Sequence, residues 1–286
     1  MLGQRVITAV ILLAILLGAL LLTSHPFVLV ALLIVVAACA LWEWLRLTWP
    51  VLPSRAPVVC AVVFALLLCA ITLSWQDAAA TGWVSQLRHQ ARHWLLPAVV
   101  VLWIIGGVGM VVRGQVSRRS GAACLSIFGV LALLATWLAL VELFLQRGPW
   151  FLVSLLALVW VADIAAYFSG KAFGRHKLAP AVSPGKTWEG AAGGVVAAAA
   201  WVALTTAWPG SFGAALRDHW SWFGALAIAV GLAALSIVGD LFESLLKRRA
   251  GVKDSSGLLP GHGGVYDRID ALLPVAPLAF LLVGIR

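Results

Sequence analysis

The chain concentrates its charged side chains in one stretch, residues 244–270, which lies between long apolar segments. Charged residues make up only 11% of the sequence, yet eight of its 31 acidic and basic residues fall within these 27 positions. They are Lys247, Arg248, Arg249, Lys253, Asp254, Asp267, Arg268 and Asp270, and His262 and several glycines lie among them. Because charge beside lipid is costly, a segment of this composition is a candidate functional site.

A second polar pattern overlaps the start of this stretch. Asp240, Glu243, Ser244 and Lys247 have spacings that place all four on one face of a helix. An ion pair between Glu243 and Lys247 would explain two of them, but it leaves Asp240, one turn away, without a basic partner nearby in the sequence. A divalent cation explains Asp240 better, because hard cations take carboxylate oxygens as ligands.

Asp267 and Asp270 begin the next apolar segment on adjacent helical turns. Carboxylates from two helices can bracket one or two ions of the Mg²⁺ type, while the nearby lysines and arginines bind phosphates. The glycines before Asp267 permit tight turns and a close approach of the backbone to a ligand. This combination suits phosphoryl or nucleotidyl transfer, in which positioning and charge neutralisation supply most of the catalysis.

Residues 183–190, Ser-Pro-Gly-Lys-Thr-Trp-Glu-Gly, form a third polar element before an alanine-rich segment. Such a turn can direct backbone N–H groups and the ammonium of Lys186 at phosphate oxygens, assisted by a helix N-terminus. Gly-Lys-Thr resembles the end of a P-loop, but the GxxxxGKT spacing is absent, so we reject a Walker site. Asp163 and Tyr167, four residues apart on one helix face, lie in the preceding apolar segment.

The elements that position these residues are predicted to be membrane-spanning helices. The chain is 63% hydrophobic, whereas soluble domains are about 45–50% apolar. Segments long enough to cross a bilayer are 6–24, 26–42, 56–74, 94–113, 122–146, 150–169, 191–207, 221–246 and 271–285, which makes nine. Because backbone groups in lipid must bond within their own segment, we predict an all-α polytopic membrane protein. We expect residues 1–148 to be a transmembrane scaffold and 149–286 to be the catalytic region.

The distribution of lysine and arginine predicts the orientation of these spans. With nine spans and a cytoplasmic N-terminus, 15 of the 20 basic residues lie on the cytoplasmic side and 5 on the other, which is the usual bias. The active site is then expected in cytoplasmic-side loops and helix ends. Topology and anionic lipid headgroups explain the net charge of +9, which therefore does not indicate a nucleic-acid partner.

The polar residues of the first half are interpreted as structural. Glu43 is expected at or near a loop. Glu142 lies inside the fifth predicted span and is expected to have a structural role; the alternative is that it marks a cavity. His89 and His93 have a spacing that could hold a metal on a helix, but a solvated loop is the favoured interpretation.

The 244–270 stretch fits, position by position, the pattern S-x-x-K-R-x4-K-D-x-S-x2-L-P-x-H-G-G-x-x-D-R-x-D. In this pattern, in Gly239-Asp240-x-x-Glu243 and in residues 183–190, the chain resembles the phosphatidate cytidylyltransferase family, also called CDP-diacylglycerol synthases. The resemblance covers residues 163–270. Many relatives carry a small hydroxyl residue and a glycine after the first aspartate, where this chain has Ile164 and Ala165.

The resemblance implies that CTP and phosphatidic acid react to CDP-diacylglycerol and pyrophosphate, with Mg²⁺, alone or with a second cation, as cofactor. The expected catalytic residues are then Lys247, Asp240 and Asp267. The expected metal ligands are Asp240 and Asp267, supported by Glu243 and Asp270. The expected substrate-binding residues are Ser183, Lys186, Thr187, Glu189, Ser244, Arg248, Lys253, His262 and Arg268. The family also implies a homodimer, and we expect a multi-pass protein of the bacterial inner membrane.

Two alternatives remain open at this point. A polytopic transporter can also carry carboxylates inside the membrane, although it predicts inverted repeats and charges near the midplane. A cytidylyltransferase for another phosphorylated lipid would share the motif, because acyl selectivity would lie in apolar residues that carry no readable code.

Overall fold

A computed structural model describes residues 2–22, 26–49, 55–76, 82–116 and 121–283. The helices are α1 Leu2–Leu17, α2 Pro26–Thr48, α3 Ala56–Gln76, α4 Trp83–Gln90, α5 Leu96–Val101, α6 Val108–Arg113, α7 Ala122–Arg147, α8 Pro149–Phe173, α9 Trp188–Thr205, α10 Phe212–Ala250, α11 Tyr266–Ile269 and α12 Leu272–Val283. Two strands, β1 Lys177–Ala179 and β2 Ser183–Thr187, separate α8 from α9. Short π-helical segments extend α1 and join α4, α5 and α6 end to end.

Within the described residues, seven helices are long and apolar enough to cross a membrane. They are Pro26–Thr48, Ala56–Trp75, Ser85–Arg113, Ala122–Arg147, Pro149–Phe173, Trp188–Thr205 and Phe212–Ala250. The first and ninth predicted spans correspond to shorter described helices, Ile7–Leu21 and α12. The chain is therefore a helical polytopic membrane protein, as predicted. His89 and His93 lie exposed on α4 and the π-helical segment after it, so the predicted loop at this position is wrong.

Local sequence signals set the ends of the helices that carry the candidate site. Gly148, with φ of 84°, separates α7 from α8, and Pro149 is the first residue of α8, where its missing N–H costs nothing. The Thr187 hydroxyl accepts a hydrogen bond from the Gly190 N–H at 3.1 Å and so caps α9. Gly251 ends α10 in the left-handed conformation, with φ of 73°.

The strand pair β1–β2 is an antiparallel hairpin that the sequence analysis did not predict. Lys177 pairs with Thr187 and Ala179 with Ser183. The hairpin is held close to the membrane helices because α8 and α9 approach each other through small residues. A Cβ atom added to Gly190 or Gly194 would meet the backbone oxygen of Ala166 or Ala162, at 2.8 Å in each case.

An aromatic cluster joins α2 to the helices that carry the candidate site. The buried ring of Trp44 stacks on Phe242 of α10 with centroids 5.6 Å apart, and its centroid is 5.0 Å from that of Tyr266 in α11. The indole N–H of Trp44 donates to the Leu125 carbonyl at 2.9 Å. A side chain at Gly129 would collide with this indole, so the glycine gives Trp44 its place between α2 and α7.

Glu142 is fully buried in α7 and is paired. Its carboxylate accepts hydrogen bonds from Arg88 and Arg92, with closest distances of 2.5 and 2.6 Å, and from the Gln146 amide at 2.7 Å. Two guanidinium groups thus satisfy this buried charge and hold α7 against α4 and the π-helical segment after it. The predicted structural role of Glu142 is confirmed.

Candidate active site

Three carboxylates converge where the C-terminal half of α10 meets the start of α12. Oxygen atoms of Asp240, Glu243 and Asp270 all lie within 4.8 Å of one another. Gly239 makes this approach possible, because a Cβ atom there would lie 2.5 Å from the Asp270 carbonyl oxygen and 3.0 Å from Pro274. The helical spacing of Asp240 and Glu243 and the close packing of α12 therefore create the cluster together.

The chemistry of this donor set fits a hard cation such as Mg²⁺. All three groups offer carboxylate oxygens, which is what such ions prefer. Glu243 is almost fully buried, and within the described part of the chain its Oε1 atom has no hydrogen-bond partner. Burial, and then the negative charge of Asp240, raise the pKa of Asp270 well above its usual range. A bound cation would relieve both the missing partner and the repulsion.

Asp267 has a different environment from the other three acids. Its Oδ1 atom accepts from the Lys247 ammonium at 2.7 Å, and its Oδ2 atom accepts from the Gly264 N–H at 2.7 Å and from Ser255. Burial acts to raise the pKa of Asp267, but the neighbouring Glu243 side chain, the Lys247 ammonium and the Gly264 N–H outweigh it and hold the pKa well below its usual range. Asp267 is thus held as a charged acceptor beside the cluster.

Lys247 connects the two acidic groups. Its ammonium lies 2.6 Å from Glu243 Oε2, which is the expected pair within one helix, and 2.7 Å from Asp267 Oδ1 across to α11. Only 16% of the Lys247 side chain is exposed, so its charge is shared between two buried carboxylates. The lysine and both acids, all predicted as site residues, do come together.

Lys186 supplies the basic partner that Asp240 lacked in the sequence. Its ammonium, carried by β2, lies 2.5 Å from Asp240 Oδ2 on α10. About a quarter of the Lys186 side chain and a third of the Asp240 side chain remain exposed, so the pair faces open space. The hairpin therefore delivers a positive charge to the edge of the carboxylate cluster.

The other predicted residues of the 183–190 element hold the hairpin itself. Thr187 is buried as the cap of α9. Glu189 accepts hydrogen bonds from the backbone N–H groups of Arg175 and His176, at 3.1 and 3.2 Å, and lies 2.6 Å from the His176 ring. Ser183 is partly buried at the start of β2. The structure thus brings Lys186, rather than these three residues, to the carboxylates.

The remaining predicted substrate-binding residues lie on α10, on α11 and in the loop between them. Arg248 donates to the Val182 carbonyl at 3.3 Å, and Arg268 donates to the His262 carbonyl at 2.8 Å. Lys253 is exposed in the loop after α10, and Ser244 is partly buried on α10. The Nδ1 atom of His262 is buried and has no partner among the described residues, so it is available to a ligand.

Glu43 is a residue of this region that the sequence analysis missed. It is fully buried near the end of α2, so its expected position at or near a loop is wrong. Its carboxylate accepts from the backbone N–H groups of Val265 and Tyr266 at 3.0 and 2.6 Å, and from the hydroxyls of Ser255 and Ser256 at 3.0 and 2.5 Å. No local signal in the sequence pointed to its partners, which lie more than 200 residues away.

An apolar cavity of about 450 Å³ reaches this cluster at Asp270. Its walls are aliphatic and aromatic side chains of α1, α2, α7 and α8. Asp163, His262, Asp267, Arg268 and Asp270 line its polar end. A cavity with this division can hold the hydrocarbon chain of an amphipathic molecule and present its polar head to the carboxylates and basic groups.

The chain is similar to several proteins over nearly its whole length. A model of the cytidylyltransferase family matches residues 3–285. A phosphatidate cytidylyltransferase of Pseudomonas aeruginosa is 43% identical, with 97% of this chain and 95% of that protein covered. Proteins with the same description from Haemophilus influenzae and Brucella suis are 35% and 38% identical, covering 97% and 88% of this chain and 96% and 91% of those proteins. With the family model matched across the chain, this protein belongs to the cytidylyltransferase family.

Proposed function

We propose that this protein transfers CMP from CTP to phosphatidate, giving CDP-diacylglycerol and pyrophosphate. The observation that carries the proposal is an apolar cavity that is lined at one place by Asp267 and Asp270, which belong to a group of carboxylates paired with Lys186 and Lys247. The lipid enters from the bilayer and the nucleotide from the aqueous side, and this arrangement lets them meet. The names of the similar proteins support the same reaction.

The reaction requires little acid–base chemistry from the protein. A phosphate oxygen of phosphatidate attacks the α-phosphorus of CTP and forms a new P–O bond. The bond from that phosphorus to the bridging oxygen breaks, and pyrophosphate leaves with its electron pair. Because the attacking phosphate is already anionic at neutral pH, a general base is not needed. The task of the residues is to place two anions in line and to balance their charge.

The basic residues around the cluster suit this task. Lys186 is on the open side of the carboxylates, and Arg268 and His262 are at the polar end of the cavity. We assign Arg268 and His262 to the lipid phosphate and Lys186 to the nucleotide phosphates. Arg248 lies in the last turn of α10, and Lys253 is exposed in the loop after it. We assign both to the pyrophosphate portion of CTP.

Asp240, Glu243 and Asp270 would hold Mg²⁺. Asp267 lies beside them, paired with Lys247, and its predicted role as a further ligand stays a prediction. When bound, this cation supplies positive charge that neutralises phosphate oxygens. Lys247 keeps Glu243 and Asp267 in a fixed relation to each other. The carboxylates of Glu243 and Asp267 therefore stay close together despite their like charge.

We also propose the remaining features that the sequence predicts. These are nine spans with a cytoplasmic N-terminus, a catalytic region at residues 149–286, a homodimeric assembly and a place in the bacterial inner membrane. The seven long apolar helices and two shorter ones at the predicted first and ninth positions support the count. Membership of the cytidylyltransferase family favours the enzyme over the transporter alternative.

The test is an assay of the purified protein in lipid nanodiscs with phosphatidate and CTP labelled at the α-phosphate. We expect label to move into CDP-diacylglycerol and one pyrophosphate to be released for each product. Parallel reactions with other phosphorylated lipids decide between phosphatidate and a different lipid acceptor. Absence of lipid-linked label with phosphatidate would contradict the proposed function.

A further inference from the structure

The buried carboxylate of Glu43 and the carboxylate of Asp267 share one hydroxyl group. The Ser255 Oγ atom lies 3.0 Å from Glu43 Oε2 and 3.0 Å from Asp267 Oδ2. A hydroxyl has one proton, so at any moment it donates to only one of the two. Glu43 and Asp267 therefore compete for the same donor, and the position of one depends on the other.

Glu43 also holds both ends of the loop that carries this donor. Ser255 and Ser256 lie at its start, and Val265 and Tyr266 at its end, and all four donate to Glu43. Gly264, which precedes Val265 in this loop, has no room for a side chain, because a Cβ atom there would overlap Ser255 Oγ and both oxygens of Glu43. The loop is thus closed around the Glu43 carboxylate.

Asp267 is fixed by the same closed loop. Besides Lys247, its partners are the N–H groups of Ser255 and Gly264 and the Ser255 hydroxyl, all of which belong to this loop. Displacement of the loop would move Asp267 Oδ2, and with it the Oδ1 atom that contacts Lys247.

We propose that Glu43 is a positioning residue for the transfer reaction, acting through Ser255 to place Asp267 beside Lys247. This inference rests on the proposed function for its role in catalysis, while the placement of the loop can be measured without it. It also gives α2, in the region predicted to be only scaffold, a direct part in shaping the site.

Replacement of the carboxylate by an amide defines the test. In Glu43→Gln one of the two oxygens becomes an NH₂ group, which cannot accept a hydrogen bond. The hydroxyls of Ser255 and Ser256 can turn, but the Val265 and Tyr266 N–H groups cannot, so one of them faces another donor. Loss of such a supporting contact typically lowers activity roughly 10–100-fold.

Glu142→Gln is the matched control. Glu142 is equally buried in a neighbouring span, but its partners Arg88, Arg92 and Gln146 are outside the loop. We expect Glu43→Gln to lower kcat per folded molecule at least about tenfold, with folded protein measured by size-exclusion chromatography. Glu142→Gln is expected to lower thermal stability while leaving kcat per folded molecule near wild type. A kcat of Glu43→Gln within threefold of wild type would overturn the proposal.

Serine variants decide the matter if Glu43→Gln does not fold. Ser255 contacts both carboxylates, whereas Ser256 contacts only Glu43. Ser255→Ala should therefore lower kcat more than Ser256→Ala, and equal effects would overturn the proposal. Because Glu43 acts through Ser255, the double variant Glu43→Gln/Ser255→Ala should lose much less than the product of the two single losses. A fully multiplicative loss would also count against it.

Hydrogen–deuterium exchange separates this inference from the proposed function. Glu43→Gln should speed exchange of the Val265 and Tyr266 amides, and Glu142→Gln should not. If the wild-type protein forms no CDP-diacylglycerol, the proposed function fails while this measurement still tests the positioning of the loop. Unchanged exchange at both amides in Glu43→Gln would refute the positioning role.

Discussion

Replacement of Lys186 by methionine tests the contribution of the hairpin to the active site. Methionine keeps the length of the side chain but removes the ammonium that lies 2.5 Å from Asp240. We expect the substitution to leave the protein folded and to impair the reaction, and the structure sets a magnitude for each effect.

The effect on stability should be small. The side chains of Lys186 and Asp240 are 26% and 33% exposed, so water screens the pair. Exposed ion pairs contribute about 0.2–1 kcal/mol, which corresponds to a fall in melting temperature of at most about 4 °C.

The effect on the reaction should be larger, because a hydrogen bond from an ammonium to an anionic phosphate is worth about 1.5–3 kcal/mol. Converted at about 1.4 kcal/mol for each factor of ten, this lowers kcat/KM roughly 10- to 150-fold.

The assay is CDP-diacylglycerol formation in nanodiscs at saturating Mg²⁺, with CTP and phosphatidate varied in turn. Lys177→Met is the matched control, because Lys177 is an exposed lysine on the neighbouring strand β1 of the same hairpin. It should keep kcat/KM near wild type. A Lys186→Met enzyme with kcat/KM within twofold of wild type for both substrates would refute the assignment of Lys186 to the site.

Four further results are expected. Asp267→Asn should abolish product formation while membrane insertion persists, because it removes the charge that holds Lys247; full activity would contradict the role of Asp267. Chelation by EDTA should abolish activity and Mg²⁺ should restore it, whereas activity that persists in EDTA would exclude the proposed cation. Gly264→Ala should lower both activity and stability because its Cβ atom collides with Ser255, while Gly257→Ala, with open space around it, should be neutral. Thr187→Ala should lose the cap of α9 and about 1 kcal/mol of stability, and Thr187→Ser should retain both; an unchanged melting temperature for Thr187→Ala would rule out the capping role.

Interactions within one helix were predictable from the sequence. Asp240, Glu243 and Lys247 share a face of α10, and the expected contact between Glu243 and Lys247 is present. The backbone geometry of a helix fixes which residues three, four and seven apart lie together, so spacing alone is sufficient. Membrane-spanning character was predictable for the same reason, since it depends only on the length and composition of a segment.

Contacts between distant segments were not predictable in this way. Nothing near Asp240 in the sequence indicates Lys186, and nothing near Asp267 indicates Ser255 and Glu43 together. Apolar helices in lipid carry little information on which neighbour they choose, because their association depends on close packing of small and aromatic residues. Here Gly239 allows α10 to pack closely against the start of α12, and Gly190 and Gly194 allow α9 to pack closely against α8.

A helical membrane protein with its acidic and basic residues concentrated between apolar segments was evident from the sequence alone, and the motif indicated the family. These properties follow from composition, segment length and spacing along the chain. The folded structure was needed to show that Glu243 and Asp270 join Asp240, that Lys186 contacts Asp240, and that Glu43 holds the loop that leads to Asp267. Each of these contacts joins helices or loops that packing brings together. Packing depends on the shapes of both surfaces at atomic distances, so it cannot be inferred from any single segment.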